Sequence, residues 1–464
     1  MAEQFATSAA QDGECFGLLP IQQWLFEQGL QEPDHFNQAV LLACRQPLDC
    51  ARLEAALRAV LSEHGSLRLA FQRGTDGQWR QRQQDMDALR LDEDPLLWVR
   101  PAADPAAMVT IANQAQRSLS IAQGRLLRAV YSELDDGSRR LLLVAHHLGV
   151  DAVSWRILLE ELQQTYRRLC EGQAPSFPAP SCSYRAWADG LRGYAGHPRL
   201  AAEMPYWLAQ TEPAGLVDLP RDNPRGHARV EYREQVQWSL APEQTERLLK
   251  VAPEAYRTQI NDLLLTALGR TLCRWSDSAS VLVGMEGHGR EDLFDDLDHS
   301  RTLGWFTSFF PLRLTPGEGG YAQAIPAIRD QLRTLPERGV GYGVLRYLGD
   351  ESTRRRLAER ARPQVIFNYL GQFDQGFDDQ ALFAPVQESA GDAYAASAPL
   401  NAWLEIVGQV YDGRLTLRCV FSRRLYRRST VEQLMAGLQE ELQAVIEHCC
   451  AKHGERQEQA CLPA

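Results

Sequence analysis

The chain contains no run of about 18 apolar residues that could cross a bilayer as a helix. Its opening, MAEQFATSAAQDGE, has neither the basic segment nor the apolar stretch of a secretory signal. Positive charge is also in deficit: 49 Lys and Arg stand against 60 Asp and Glu, a net −11. A general nucleic-acid binder neutralises phosphates with a basic surface, so this balance argues against one, and any anionic partner must meet a local basic patch. The ten cysteines include no C-x-x-C pair that could form half of a zinc site. No fixed-period repeat suggests a solenoid. The glycines of Arg338-Gly-Val-Gly-Tyr-Gly343 precede no G-K-[ST] and are spaced unlike a dinucleotide fingerprint, so they read as a loop. These absences point to a soluble, cytoplasmic chain with reduced, mostly structural thiols, no metal, no nucleic acid and no membrane among its partners.

What is present is enough hydrophobic residue, 44% of 464, to fill two or three domains or two large lobes. Residues 48–64 carry Leu53, Leu57, Val60 and Leu61 at helical spacing behind Asp49 as N-cap, and a short strand, Leu67 to Phe71, follows. Strand-like runs at 125–134 and 138–147 flank Asp135-Asp136-Gly137, which predicts a hairpin. From Trp155 to Leu169 apolar residues recur with the period of a helix packed on a sheet. The segment 172–180, GQAPSFPAP, reads as a linker and sets the expected division at 1–175 and 176–464. Beyond it come helices near 183–195 and 258–275 and strands near 280–286, 307–314 and 364–373. A hairpin turned by Asp412-Gly413 and a long helix over 429–448 close the pattern. Each half mixes helices with a sheet, so the fold class is α/β with mixed sheets.

Chemistry concentrates in Ala145-His-His-Leu-Gly-Val-Asp-Ala-Val-Ser-Trp155. Alternation along a strand lets only one of the two imidazoles face a given cleft. His147 comes last, where strand gives way to loop and a proton-transferring group can meet both substrate and solvent. It is therefore the working residue, with His146 a packed or hydrogen-bonded neighbour. Adjacent histidines on a strand diverge, and no H-E-x-x-H helix is present, which disfavours a metal. Asp151, at the start of the following helix, fits an N-cap or a buried ion pair better than a base. The run Arg423-Arg-Leu-Tyr-Arg-Arg428 fits a solvated face, with a docking patch for a carrier domain as a minor alternative.

His146-His147-Leu148-Gly149-Val150-Asp151-Ala152-Val153-Ser154-Trp155 resembles the HHxxxD signature of the condensation-domain superfamily of nonribosomal peptide synthetases, in the form associated with epimerization domains. Leu19-Pro-Ile-Gln-Gln-Trp24, Glu286-Gly-His-Gly-Arg-Glu291, Ser300-Arg-Thr-Leu-Gly-Trp-Phe-Thr-Ser308 and Phe367-Asn-Tyr-Leu-Gly-Gln-Phe373 extend the likeness over nearly the whole chain. The resemblance implies two chloramphenicol-acetyltransferase-like lobes in a V-shaped pseudo-dimer with a central tunnel. It implies His147 from the first lobe and Glu286 from the second on either side of a substrate α-carbon. His146, Asp151, Ser154, Trp155, Asn368 and Tyr369 are implied as supporting or substrate-binding residues. The substrate is an aminoacyl or peptidyl thioester on the phosphopantetheine arm of a peptidyl carrier domain. The domain itself is expected to be monomeric, to work beside neighbouring synthetase modules, and to carry no intrinsic cofactor.

The implied reaction suits the residues. A thioester carbonyl acidifies its α-proton; removal gives an enolate, and reprotonation on the other face inverts the centre. A neutral imidazole works near cytoplasmic pH, and a carboxyl in a tunnel has its pKa raised enough to serve as acid. Which of His147 and Glu286 takes the proton from the L face stays open. Donors to the enolate oxygen would be the His147 imidazolium and the Asn368 or Tyr369 side chains, although Asn368 and Tyr369 fit equally as satisfied core polar groups. Glu286 ends a strand beside Gly287 and Gly289, which let the backbone turn closely. Ala152 departs from the glycine usual after the Asp: a position needing positive φ would suffer, a first helical turn would not. A condensation domain forming the peptide bond and a catalytically silent carrier-binding module are the competing functions.

Overall fold

The computed structural model describes residues 14–178, 182–372 and 381–460. The chain forms two units. The first takes in the chain up to Tyr194, the segment Asp292–Thr307 and a segment ending at Ala395; the second takes in Ala195–Glu291, a segment from Ser308, and the chain from Ala396 onward. The expected single division at 175/176 is therefore corrected. The prolines of 172–180 mark no boundary, because the helix beyond them, Tyr184–Tyr194, still belongs to the first unit, and two later segments return to it.

The first unit is built on a five-stranded sheet in the order Phe383–Pro385, Asn37–Cys44, Arg139–His146, Leu127–Glu133, Leu97–Val99. All neighbours are antiparallel except the last pair. The Asp135-Asp136-Gly137 turn joins the two central strands, with Glu133 opposite Arg139 and Leu127 opposite Ala145. Alternation sorts the strand Arg139–His146 into two cores. Leu141, Leu143 and Ala145 pack with the helices Cys50–Glu63 and Ala152–Cys170, while Leu142 and Val144 pack with the helix Pro105–Gln116. Asp49 caps the first of these helices by accepting the Arg52 N–H at 2.9 Å, and the strand expected from Leu67 begins at Leu69, after one turn of 3-10 helix.

The second unit carries a six-stranded sheet in the order Arg233–Ser239, Arg414–Ser422, Leu404–Tyr411, Val365–Gln372, Val281–Gly287, Ser308–Leu314. Its central strand, Val365–Gln372, is parallel to both neighbours, and the remaining pairs are antiparallel. Asp412 and Gly413 turn the hairpin with φ of 48° and 66°, the pair of positive values that a two-residue turn of matching twist requires. The helices Ile260–Ser276 and Arg428–Ala460 are joined by Glu441, which bridges Arg270 at 2.5 Å and Arg274 at 2.7 Å.

Both sheets mix parallel and antiparallel pairs, as the expected fold class requires. The run Arg338–Gly343 corrects a second expectation. Val340–Leu348 is a helix, entered through Gly339 at φ 92°, and a Cβ on Gly341 would collide with the Glu203 carboxyl, so close packing explains a glycine there. The described cysteines are all free thiols. Arg423, Arg424, Arg427 and Arg428 are exposed around buried Leu425 and Tyr426. Among the described residues no helix is long and apolar enough to cross a membrane.

Candidate active site

His146 and His147 occupy opposite environments, as alternation predicts. His146 is the last residue of its strand and fully buried; its Nδ1 accepts the Leu148 N–H at 3.2 Å and its Nε2–H donates to the Pro33 carbonyl at 2.8 Å. Burial pushes its pKa down to about 3. His147 begins the 3-10 turn that follows and is half-buried. Its Nδ1–H donates to the Val150 carbonyl at 2.8 Å, and its ring stacks on Trp305 (centroids 4.1 Å apart) and lies beside Phe36 (5.9 Å), which itself contacts Trp305 (6.3 Å). Burial lowers its pKa, opposed by the hydrogen bond to Val150 and by the charge of Asp151.

The turn itself is held by the helix behind it. Asp151 is the N-cap of Ala152–Cys170: Oδ1 accepts the Ser154 N–H at 2.7 Å and Oδ2 accepts the Phe306 N–H at 3.2 Å. The Ser154 hydroxyl accepts the Gly304 N–H at 3.0 Å and lies 2.8 Å from Asp151 Oδ1 and 2.9 Å from the Gly304 carbonyl. The signature thus fastens the returning segment Asp292–Thr307, and through it Trp305, against His147. The indole N–H of Trp155 donates to Gln38 Oε1 at 2.8 Å, and Gln38 Nε2 lies 3.0 Å from His147 Nε2. Ala152 occupies the first helical position, exposed and outside the positive-φ set, so its methyl strains nothing in the helix.

In the second unit, Glu286 lies one residue from the end of Val281–Gly287, and Asn368 lies on the parallel neighbour, where Phe367 pairs with Met285. Asn368 Nδ2 donates to Glu286 Oε2 at 2.5 Å. Burial raises the Glu286 pKa to about 7, and the Glu405 carboxyl pushes the same way; the Asn368 bond only partly opposes them. Glu405 sits one strand further on, accepts the Asn401 N–H at 2.8 Å, and is itself raised by burial. After Glu286 the backbone turns through Gly289 at φ 68°. The Tyr369 hydroxyl is buried and, among the described residues, has no partner; the same holds for the Trp305 indole N–H in the first unit. Phe373, the last residue of the expected motif, lies outside the described residues.

In the first unit Trp155 reaches His147 through Gln38, and Asp151 and Ser154 hold the segment that carries Trp305, while His146 turns into the core. In the second, Glu286 and Asn368 meet, and Tyr369, next along the strand, faces the other side. Gln38, Trp305 and Glu405 are participants that sequence reasoning did not single out. Only Trp305 carried a signal, inside the run Ser300–Ser308.

The model of the condensation domain matches residues 14–458. The chain belongs to the condensation-domain family. Among its relatives, one of the linear gramicidin synthase subunits of Brevibacillus parabrevis is 40% identical over 425 residues, 90% of this chain and 5% of that protein. The chain thus spans about a twentieth of that relative's length. The crystal structure of the epimerization domain from the third module of tyrocidine synthetase B is 31% identical, with a TM-score of 0.86 over 95% of this chain and 97% of that one. The condensation domain from the Monacolin K polyketide synthase shares the condensation-domain fold at 17% identity, with a TM-score of 0.74 over 94% and 98% of the two chains.

Proposed function

We propose that this member of the condensation-domain family epimerises the α-carbon of an L-aminoacyl or peptidyl thioester borne on a peptidyl carrier domain, giving an L/D mixture during nonribosomal peptide synthesis. The observation that carries this reading is Glu286, a carboxyl raised to about 7 by burial and aligned by Asn368. Inversion at an α-carbon is served by a second group that holds and releases a proton near neutral pH on the face opposite the first, and such a carboxyl meets that need. The 31% identity to an epimerization domain supports the same reading.

His147 and Glu286 are assigned the two proton transfers. One removes the α-proton, the thioester carbonyl takes the electron pair as an enolate, and a proton returned to the opposite face restores the thioester with inverted configuration. The unpartnered Tyr369 hydroxyl and Trp305 N–H are donors suited to an acceptor oxygen of the substrate. Peptide-bond formation is the second reading, favoured by the match to the condensation-domain model.

The deciding experiment loads a holo carrier with an L-aminoacyl thioester, adds the protein in deuterated water, and reads deuterium at the α-carbon together with product chirality. Deuterium with an L/D mixture, lost by at least about 100-fold in His147→Ala and Glu286→Gln, is the expected result. No exchange, with amide formation once an acceptor-loaded carrier is added, would sink epimerization in favour of condensation.

A further inference from the structure

The imidazole of His147 is held at both nitrogens, and the partners leave one assignment. The Val150 carbonyl can only accept, so Nδ1 carries the proton and Nε2 presents its lone pair. The Trp155 indole can only donate, so the oxygen of the Gln38 amide faces it and the NH2 faces His147 Nε2. The chain Trp155→Gln38→His147→Val150 is thus consistently oriented, donor to acceptor, from end to end.

We propose that Gln38, fixed by Trp155, is a positioning residue that holds His147 in the neutral tautomer with its Nε2 lone pair presented, and that it opposes retention of a proton on that nitrogen. A proton on Nε2 would face the Gln38 NH2, donor against donor. Turning the amide over would remove that conflict and create the same one with the Trp155 N–H. Protonated His147 therefore has no hydrogen-bond partner at Nε2 while the amide keeps its place, a disadvantage of the charged form that adds to burial. The Gln38 N–H also occupies the lone pair that a substrate proton must reach, so an incoming C–H displaces it. A proton taken there is readily given back, which suits a reaction that must return one. That catalytic consequence rests on the function proposed above; the tautomer and titration of His147 do not.

Among the titratable and charged groups on the elements around His147, those nearest along the chain to it and to its ring neighbours Phe36 and Trp305 are His146, Asp34 and His35, Asp151, and His299 and Arg301. Of these, Asp151 acts to favour the charged imidazole. The test is a 15N-imidazole NMR titration of the full chain, with the His147 signal assigned by its loss in His147→Gln. Wild type is expected to show a protonated Nδ1, a bare Nε2 and a midpoint below the ordinary histidine value. Gln38→Glu supplies an acceptor at Nε2 and should raise proton affinity by about tenfold or more. Trp155→Phe frees the amide to turn and should raise it by a smaller factor, so two variants of different folding risk probe the same point. The acid limb of the exchange rate should move with each midpoint.

Midpoints in both variants that coincide with wild type, with folding confirmed by circular dichroism, would overturn the proposal. So would a wild-type spectrum with the proton on Nε2. If titrations move as expected while wild type shows no α-proton exchange, the positioning role stands and the proposed reaction falls. Exchange with unmoved titrations upholds the reaction and removes the positioning role.

Discussion

Glu286 carries its proton further into the neutral range when the chain is folded than when it is not. Its folded pKa is about 7 against an ordinary 4.5, so between those values the folded chain binds more protons, and stability falls as pH rises through the window. Above pH 7 the buried charge weighs against folding. Glu286→Gln keeps an oxygen for Asn368 and removes the charge, so at pH 8 it should stabilise the chain by about 3 kcal/mol, a gain that largely vanishes by pH 4.5. Urea unfolding at the two pH values measures it, and an equal effect at both would show that the carboxyl's titration is not the cause. At this scale the sequence was informative where chemistry is local. His147 was separable from His146 by alternation and position alone, and the structure gives them the expected exposures. Gln38 was invisible because a glutamine in FNQAV carries no pattern. The pairing of Asn368 with Glu286 depends on a strand register that spans 82 residues, and no local string encodes it.

The helix Ala152–Cys170 does two things with its first turn: it ends the loop that displays His147, and it fastens a segment about 150 residues away. Ser154 is fully buried, and removing its hydroxyl leaves the Gly304 N–H unpaired. Ser154→Ala should therefore cost about 1–3 kcal/mol in urea unfolding. Backbone amides of Gly304 and Phe306 should exchange faster than in wild type. A loss confined to global stability, with those amides unchanged, would mean that the hydroxyl is not what holds the segment. Elements with strong local chemistry were readable: both hairpins announced themselves through Asp-Gly turns, and the amphipathic helices through their apolar period. The failure at Val340–Leu348 is instructive, because three glycines argue for a loop by propensity, whereas the structure uses one of them for close approach to Glu203 and keeps the helix.

The first unit is assembled from pieces far apart in sequence. Residues 1–175 lack the edge strand Phe383–Pro385, the Leu303 side chain that enters their core, and the backbone groups that satisfy Asp151 and Ser154. Expressed alone, that fragment should show helical circular dichroism without a cooperative thermal transition; a sharp transition would show that the returning segments are dispensable. Composition left two or three domains open and the proline-rich linker marked no boundary, whereas fold class was legible because alternating periods are summed over long stretches. The returns at Asp292–Thr307 and before Ala395 were not, since a chain that leaves a unit and re-enters it has no composition of its own. The same threading sets a clock during synthesis. The first unit has nearly all its sheet once Tyr194 emerges from the ribosome, yet its last strand is made only some 190 residues later. At the usual pace of translation that is a wait of about 10–40 s with a strand edge uncovered. The nascent chain spends that interval exposed to whatever else will pair with Asn37–Cys44.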